Sequence, residues 1–220
     1  MTVKVRMLPA LGLAATNCYI IGDDATGEAL LIDPVENAPA LLQAVEAEGW
    51  TLKLILATHG HFDHVLASAQ LKELSGAPFY INERDQFLLD ALPETGLRFT
   101  GQRFPQAAVP DRYLTDASET LTLGDITLET LFTPGHAPGH ISYFWREASL
   151  LFSGDCLFEG SIGRTDLPGS DHETLMRSIT DVLLPLGDEV QVLPGHGDFT
   201  TLGQERQTNP FIRSYLADRE

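Results

Sequence analysis

Cysteine is scarce in this chain of 220 residues, which contains only Cys18 and Cys156. Two isolated cysteines provide neither a disulfide framework nor a cysteine-based zinc finger, so we expect both thiols to be reduced and buried. Long hydrophobic runs are also missing, and the amino-terminal stretch at 1–8 is too short and too charged to be the apolar region of a signal peptide. These absences predict a cytoplasmic protein with no membrane partner.

Basic residues are few as well. Lys and Arg total 14 against 31 Asp and Glu, which gives a formal net charge of −17. Such a chain would repel nucleic acids and anionic membranes, so neither is expected as a partner. The hydrophobic fraction of 43% is that of an ordinary globular protein, and the length suits one core. We therefore predict a single domain over residues 1–220, whose oligomeric state the sequence leaves open.

Histidine and aspartate are concentrated in the stretch HGHFDH, which begins at His59. The apolar run at 54–57 before it is typical of a buried strand that ends in a loop. His59 and His61 are two residues apart in a bend, so both rings can converge on one metal ion, while Asp63 and His64 can face a second. Zinc, iron and manganese all accept imidazole nitrogen and carboxylate oxygen. The stretch therefore predicts a metal site.

Three further strand-like segments each end in a glycine followed by a candidate ligand. These ligands are His136, Asp155 and His196. Glycine at the preceding position lets the backbone approach closely where a side chain would intrude. With the first cluster they make seven His and Asp side chains, which suit two ions that are each bound by three groups and bridged by one carboxylate. We expect two divalent ions, with zinc as the first candidate and iron or manganese as alternatives.

Strand and helix patterns alternate along the chain in two β-rich groups, with helices between and after them. A helix is predicted at 63–74, a second helix at 82–92 that Pro93 ends, and an irregular loop beside the site at 94–110. A turn at 124–125 joins the two strands of a predicted hairpin. These elements predict an α/β fold with two packed sheets and flanking helices, an αββα four-layer sandwich, and place the metal site at the sheet edge.

The order of the motifs identifies a family. His-x-His-x-Asp-His, followed by Pro-Gly-His, Gly-Asp and Pro-Gly-His, resembles the metallo-β-lactamase superfamily over most of the chain. Four further segments resemble the short bacterial glyoxalase II-like hydrolases within it. They are NCYII at 17–21, DP at 33–34, GRTDLPG at 163–169 and TLGQERQTNP at 201–210. This resemblance implies the αββα metallo-β-lactamase fold and a metal-dependent hydrolase.

The resemblance also implies a role for each ligand. It implies a first metal site formed by His59, His61 and His136, a second formed by Asp63, His64 and His196, and Asp155 as the bridge. Asp63 would orient the hydroxide as well as bind metal, so it is the predicted catalytic residue. A metal-bound hydroxide would attack the carbonyl of a thioester, S-lactoylglutathione or a related acyl-glutathione. A free thiol has a pKa of about 8.5, so the thiolate leaves without a strong acid.

The chain departs from full-length glyoxalase II enzymes in two respects. Those enzymes append a helical domain that supplies much of the glutathione contact, and they carry a basic residue and a tyrosine in the loop after the bridging aspartate. Here Arg164 is the basic residue and Asp166 stands in the tyrosine's place. Arg164 is therefore the predicted substrate-binding residue, facing the glycine carboxylate of glutathione. A structural pairing of Arg164 with Asp166 is the alternative.

Two other functions remain open at this point. One is a glutathione persulfide dioxygenase of the same superfamily, with a single iron held by His59, His136 and Asp155. The other is a non-catalytic protein whose metals only staple the fold. Outside the ligand set, His140 is interpreted as a packed or supporting histidine, and Glu205, Arg206 and Asn209 as anchors of the last helix.

Overall fold

The first sheet carries the strand that precedes the HGHFDH stretch. In the computed structural model, which describes residues 2–219, this sheet has six strands in sequence order. They are β1 (Val3–Leu11), β2 (Thr16–Asp23), β3 (Glu28–Ile32), β4 (Thr51–Leu56), β5 (Phe79–Asn82) and β6 (Arg112–Leu114). The first three strands pair antiparallel, and β3 to β6 run parallel. The carboxyl ends of β4 and β5 therefore lie at the same edge.

The second sheet also has six strands, and the order in space is β14-β13-β10-β9-β8-β7. Its strands are β7 (Thr120–Leu123), β8 (Ile126–Phe132), β9 (Ile141–Trp145), β10 (Leu150–Gly154), β13 (Gln191–Pro194) and β14 (Thr200–Thr201), and a small separate hairpin consists of β11 (Leu157–Phe158) and β12 (Ser161–Ile162). Leu123 pairs with Ile126 across the turn at 124–125, which confirms the predicted hairpin. Only β10 and β13 pair in parallel among these strands.

Helices cover the outer face of each sheet. They are α1 (Ala38–Ala47), α2 (Phe62–Val65), α3 (Ser68–Ser75), α4 (Gln86–Asp90), α5 (Leu92–Thr100), α6 (His172–Arg177), α7 (Leu202–Thr208) and α8 (Pro210–Ala217). A π-helical segment (Ser178–Leu183) and a 3₁₀ turn (Leu184–Leu186) continue α6. No helix within the described residues is long and apolar enough to cross a bilayer.

Three apolar cores separate four layers of structure. In β2, Cys18 and Ile20 point toward α1 and α3, whereas Tyr19 and Ile21 point toward the second sheet. Tyr19 meets Phe152 there with ring centroids 5.2 Å apart. The third core lies between the second sheet and α6, α7 and α8. The structure thus confirms the predicted αββα sandwich, and both cysteines are free and buried as expected.

The helix predicted at 63–74 is broken into α2 and α3. The turn at 66–67 separates them, because the N–H of Ala67 donates to the carbonyl of Pro34 instead of continuing the helix. The long-range bond ties the end of α2 to the loop after β3. The prediction of one continuous helix was therefore wrong.

The predictions that Pro93 ends a helix and that 94–110 is a loop were also wrong in part. Pro93 lies in the first turn of α5, where a missing N–H removes no intrahelical bond. Asn82 caps a short 3₁₀ turn (Glu83–Asp85), with α4 following, rather than one helix to residue 92. The helix α5 ends at Gly101, which has a φ of 74°. Only the remainder of the segment is irregular.

A buried carboxylate anchors the last two helices. Glu205 of α7 is fully buried and accepts hydrogen bonds from the Gly160 N–H (2.9 Å), the Thr200 hydroxyl (2.6 Å) and the Asn209 amide (2.8 Å). Asn209 in turn caps α8 through the N–H groups of Phe211 and Ile212. These contacts join α7 and α8 to the small hairpin, which confirms the interpretation of Glu205 as an anchor.

We expect Glu205→Ala to lower the free energy of unfolding by roughly 3 kcal/mol, because it leaves buried donors without an acceptor. Urea unfolding followed by circular dichroism measures this change. Gln204→Ala, on the exposed side of the same helix, is the matched control and should change stability little. Equal stability of the two variants would show that the Glu205 contacts do not anchor the helices.

Candidate metal centre

All seven sequence-predicted ligands lie together at the edge where the two sheets meet. Each follows the carboxyl end of a strand or begins α2. They are His59 and His61 after β4, Asp63 and His64 in α2, His136 after β8, Asp155 after β10, and His196 after β13. Strands of both sheets, together with α2, thus place their candidate ligands at the same point.

The potential ligating atoms of these seven residues form three groups, and some residues belong to two of them. Within each group, all of these atoms lie within 4.8 Å of one another. The groups are His59, His61 and His136; His59, His64 and Asp155; and Asp63, His64 and His196. Asp155 lies between the first and third groups. Its Oδ2 is 3.4 Å from Nε2 of both His136 and His196, and its Oδ1 is 3.4 Å from Nε2 of His64. A carboxylate that touches both groups is placed as a bridge would be.

Three polar atoms at this point lack hydrogen-bond partners. Among the described residues, the buried side-chain atoms in this condition are Nε2 of His59, Nε2 of His64 and Oδ1 of Asp155. Leaving a buried acceptor or donor unsatisfied costs about 1–3 kcal/mol each. Divalent cations accept this mixture of imidazole nitrogen and carboxylate oxygen, so the donor set fits metal ions.

Burial keeps most of the histidines neutral, as metal ligands must be. It lowers the pKa of His61 to about 3, and it lowers the pKa values of His59 and His136 as well. His64 and His196 differ, because neighbouring carboxylates outweigh burial. Hydrogen bonds to Asp155 and Asp63 raise the pKa of His196 to about 10, and the charges of Asp63, Asp155 and Asp33 raise that of His64. A cation bound there would displace these protons.

Asp33 orients one histidine of the third group. Its side chain is buried, its backbone adopts a left-handed φ of 60°, and its Oδ1 accepts from the Thr58 N–H at 2.7 Å. The other oxygen accepts from the Thr58 hydroxyl (3.0 Å) and from Nδ1 of His64 (2.9 Å). Since Nδ1 of His64 faces Asp33, its Nε2 faces Asp63 and Asp155. Asp33 therefore selects which nitrogen is free for a metal.

Backbone and hydroxyl groups orient the first group in the same manner. Nδ1 of His136 donates to the carbonyl of Arg164 at 2.9 Å, so its Nε2 carries the lone pair, and Nδ1 of His61 lies 2.9 Å from that atom. Nδ1 of His59 lies 3.0 Å from the Thr58 hydroxyl, which itself donates to Asp33. The free nitrogens of His59 and His136 consequently face the same space.

His140 supports Asp155 and is outside the ligand groups. Its Nε2 accepts the backbone N–H of Asp155 at 3.1 Å, and its Nδ1 lies 2.9 Å from the Thr133 hydroxyl. Burial lowers the pKa of His140 well below its usual value, which matches an accepting nitrogen. The expectation of a packed, supporting histidine is thus confirmed.

A glycine is required beside Asp155. A Cβ on Gly195 would lie 2.3 Å from Oδ1 of Asp155 and 2.8 Å from the ring of His64. No side chain fits at that distance, so the position before His196 needs glycine for the close approach.

Arg164 is brought to the rim rather than into the ligand groups. Its side chain is 60% exposed and forms a bidentate pair with Asp166, at 2.6 and 2.7 Å. Phe62 packs against the rings of Phe99 and Phe104, with ring centroids 6.0 and 5.6 Å away, which places the 94–110 segment beside the HGHFDH stretch.

Sequence reasoning missed two residues at this site. The Thr16 hydroxyl donates to Oδ2 of Asp63 at 2.8 Å, and the buried Asp85 bonds to the backbone of two ligand loops. Neither has a spacing relation to the histidines, so no local signal marks them.

We expect Asp33→Asn to weaken metal binding about 10- to 100-fold, because the amide no longer holds Nδ1 of His64 as a proton donor. Competition with a chromogenic chelator measures the affinity. Glu28→Gln, at the start of the strand β3 that Asp33 follows, is the control and should bind metal as the unchanged protein does. Unchanged affinity in Asp33→Asn would contradict this orienting role.

Comparisons with known proteins agree with the geometry. The family model described as Metallo-beta-lactamase superfamily matches residues 11–196. Hydroxyacylglutathione hydrolase GloC of Haemophilus influenzae is 46% identical and covers 96% of this chain and 99% of its own. The crystal structures of BLEG-1 B3 metallo-beta-lactamase (40% identity, TM-score 0.88, 95% and 99% of the two chains) and of TTHA1623 in a di-iron-bound form (37%, 0.83, 94% and 99%) are similar. The chain belongs to the metallo-beta-lactamase superfamily.

Proposed function

We propose that this metallo-hydrolase cleaves a thioester, S-lactoylglutathione or a related acyl-glutathione, at a centre of two divalent ions. The observation that carries the proposal is the position of Asp155, within 3.4 Å of histidines from two separate ligand groups. Support for the substrate comes from the similar hydroxyacylglutathione hydrolase. Support for the ions comes from the buried ligand atoms that have no partner.

The two ions would be held by separate sets of side chains. His59, His61 and His136 would hold one, Asp63, His64 and His196 the other, and Asp155 would touch both. Bound there, divalent ions lower the pKa of a water and polarise a carbonyl oxygen. Zinc is the first candidate, and the di-iron-bound relative supports iron as an alternative.

Asp63 is the proposed catalytic residue. Burial alone would raise the pKa of Asp63, but the charge of His64 and the contact with His196 lower it, so the carboxylate is ionised. Its Oδ2 accepts from the Thr16 hydroxyl, which fixes the orientation of the carboxylate. An ionised and oriented carboxylate can accept a proton from an attacking water.

Nucleophilic catalysis by the chain itself has little support. Burial raises the pKa values of both Cys18 and Cys156, so neither thiol is ionised near neutral pH. A thioester also needs no strong general acid, because the leaving thiol has a pKa of about 8.5 when free in water. These facts favour attack by water over a covalent intermediate.

Hydrolysis of S-D-lactoylglutathione by zinc-loaded protein, followed together with metal content, tests the proposal. We expect Asp155→Ala to abolish hydrolysis and to reduce bound metal, since it removes the proposed bridge. Asp125→Ala, in the turn of the hairpin, is the matched control and should keep both. Full activity and full metal content in Asp155→Ala would refute the bridging role.

The same assay separates the rival functions. Iron without thioester cleavage, together with oxygen uptake in the presence of glutathione persulfide, would indicate the dioxygenase. Cleavage of a β-lactam but no thioester would indicate the activity named for BLEG-1. Bound metal without hydrolysis of any thioester, lactone, β-lactam or phosphoester would leave the metals as structural staples.

Arg164 is the proposed contact for a substrate carboxylate. Because Asp166 already engages two nitrogens of its guanidinium, a substrate must compete with that pair. We expect Arg164→Ala to raise KM for S-D-lactoylglutathione about five- to tenfold with little change in kcat, as loss of uniform binding does. Asp166→Asn should lower KM about two- to fivefold.

Opposite shifts in the two variants are the result that supports substrate binding by Arg164. If both variants raise KM equally, the pair only holds the loop in place. Steady-state kinetics on matched zinc-loaded preparations distinguishes the two results.

A further inference from the structure

Asp85 is a buried carboxylate that belongs to none of the ligand groups. It lies in the 3₁₀ turn after β5, and its side chain is fully buried. Its Oδ2 accepts the Gly60 N–H at 2.8 Å, and its Oδ1 accepts the Gly139 N–H at 2.6 Å. Both donors are backbone groups, and each belongs to a loop that carries histidine ligands.

Holding a carboxylate in this position is unfavourable by itself. Burial raises the pKa of Asp85 to about 6, and the two backbone hydrogen bonds offset only part of that effect. A buried acid group stabilised by two N–H groups alone adds little to stability. The structural effect of Asp85 is therefore that it joins two loops.

The two loops are those of the first ligand group. Gly60 lies between His59 and His61, and Gly139 lies in the loop between β8 and β9 that carries His136. Each loop lies so close to Asp85 that neither glycine has room for a side chain. A Cβ on Gly60 would lie 3.0 Å from the Asp85 carbonyl oxygen, and one on Gly139 would lie 2.8 Å from Oδ1 of Asp85.

The group formed by Asp63, His64 and His196 is held in place by other contacts. His64 is oriented by Asp33, Asp63 accepts from Thr16, and Nδ1 of His196 lies 3.3 Å from the carbonyl of Ala15. None of these contacts involves Asp85. A change at Asp85 should therefore act on one group and spare the other.

We propose that Asp85 is a positioning residue that sets the spacing between the His59–His61 loop and the His136 loop, and thereby the metal affinity of the first ligand group alone. The spacing is visible in the 2.9 Å between Nδ1 of His61 and Nε2 of His136. This inference rests on the two metal sites of the proposed function.

Asp85→Asn in the full chain tests the inference. The amide keeps the shape of the side chain, but its NH₂ group cannot accept the second backbone N–H. We expect zinc affinity to fall about 10- to 100-fold at one of two sites and to stay unchanged at the other. Zinc titration against a chromogenic chelator resolves the two sites without any activity assay.

Glu205→Gln is the matched control, because Glu205 is an equally buried carboxylate whose three hydrogen-bond donors, Gly160, Thr200 and Asn209, lie outside the two loops that Asp85 joins. It should lose stability and keep both zinc sites. If Asp85→Asn does not fold, Gly139→Ala is the second variant, since its methyl group would press on Oδ1 of Asp85. Loss at one site is again expected.

Each outcome is decisive. Unchanged affinity at both sites, or equal loss at both, in a folded variant overturns the positioning role while the proposed function stands. If the unchanged protein binds no zinc, iron or manganese, the proposed function itself fails and the inference fails with it.

Discussion

The burial of Asp155 among histidines is the constraint on which the candidate site depends. A carboxylate with one fully buried oxygen that lacks a hydrogen bond is unfavourable unless cationic partners surround it. Here burial raises the pKa of Asp155, but His64 and His196 outweigh burial and lower it well below its usual value. The site is thus arranged around a negative charge that two ligand groups share.

Strand ends and close backbone contacts bring this charge and its partners together. The carboxyl ends of β4, β8, β10 and β13 deliver the side chains, and the Gly195 backbone passes so near Asp155 that a methyl group would not fit. Outside the ligands, Asp33, His140 and the Arg164 carbonyl each hold a nitrogen or N–H of the site. The geometry of the candidate metal centre therefore depends on groups outside the proposed ligand set.

The sequence predicts the layered fold and the gathering of ligands well, for physical reasons. The HGHFDH stretch is local, and strand ends in an open sheet converge at one edge, so His136, Asp155 and His196 could be expected beside it. The errors concerned helix boundaries. Pro93 was interpreted as a helix end, although proline is also common in the first turn of a helix. The break between α2 and α3 comes from a long-range bond to Pro34, which no helical pattern reveals.

The supporting residues were harder to predict than the ligands. Thr16 bonds to the side chain of Asp63, which is 47 positions away in the chain. Asp85 bonds to the backbone N–H of Gly60, which is 25 positions away. Such contacts leave no periodic or spacing signal. Substrate contacts are also harder, because Arg164 and its partner lie in an exposed loop where pairing within the protein and binding to a ligand use the same groups.

Anomalous diffraction from a crystal of the zinc-loaded protein, recorded at the zinc edge, tests the two-ion centre most directly. Two peaks are expected, one among His59, His61 and His136 and one among Asp63, His64 and His196, with Asp155 between them. A single peak, or peaks away from these side chains, would contradict the two-ion centre.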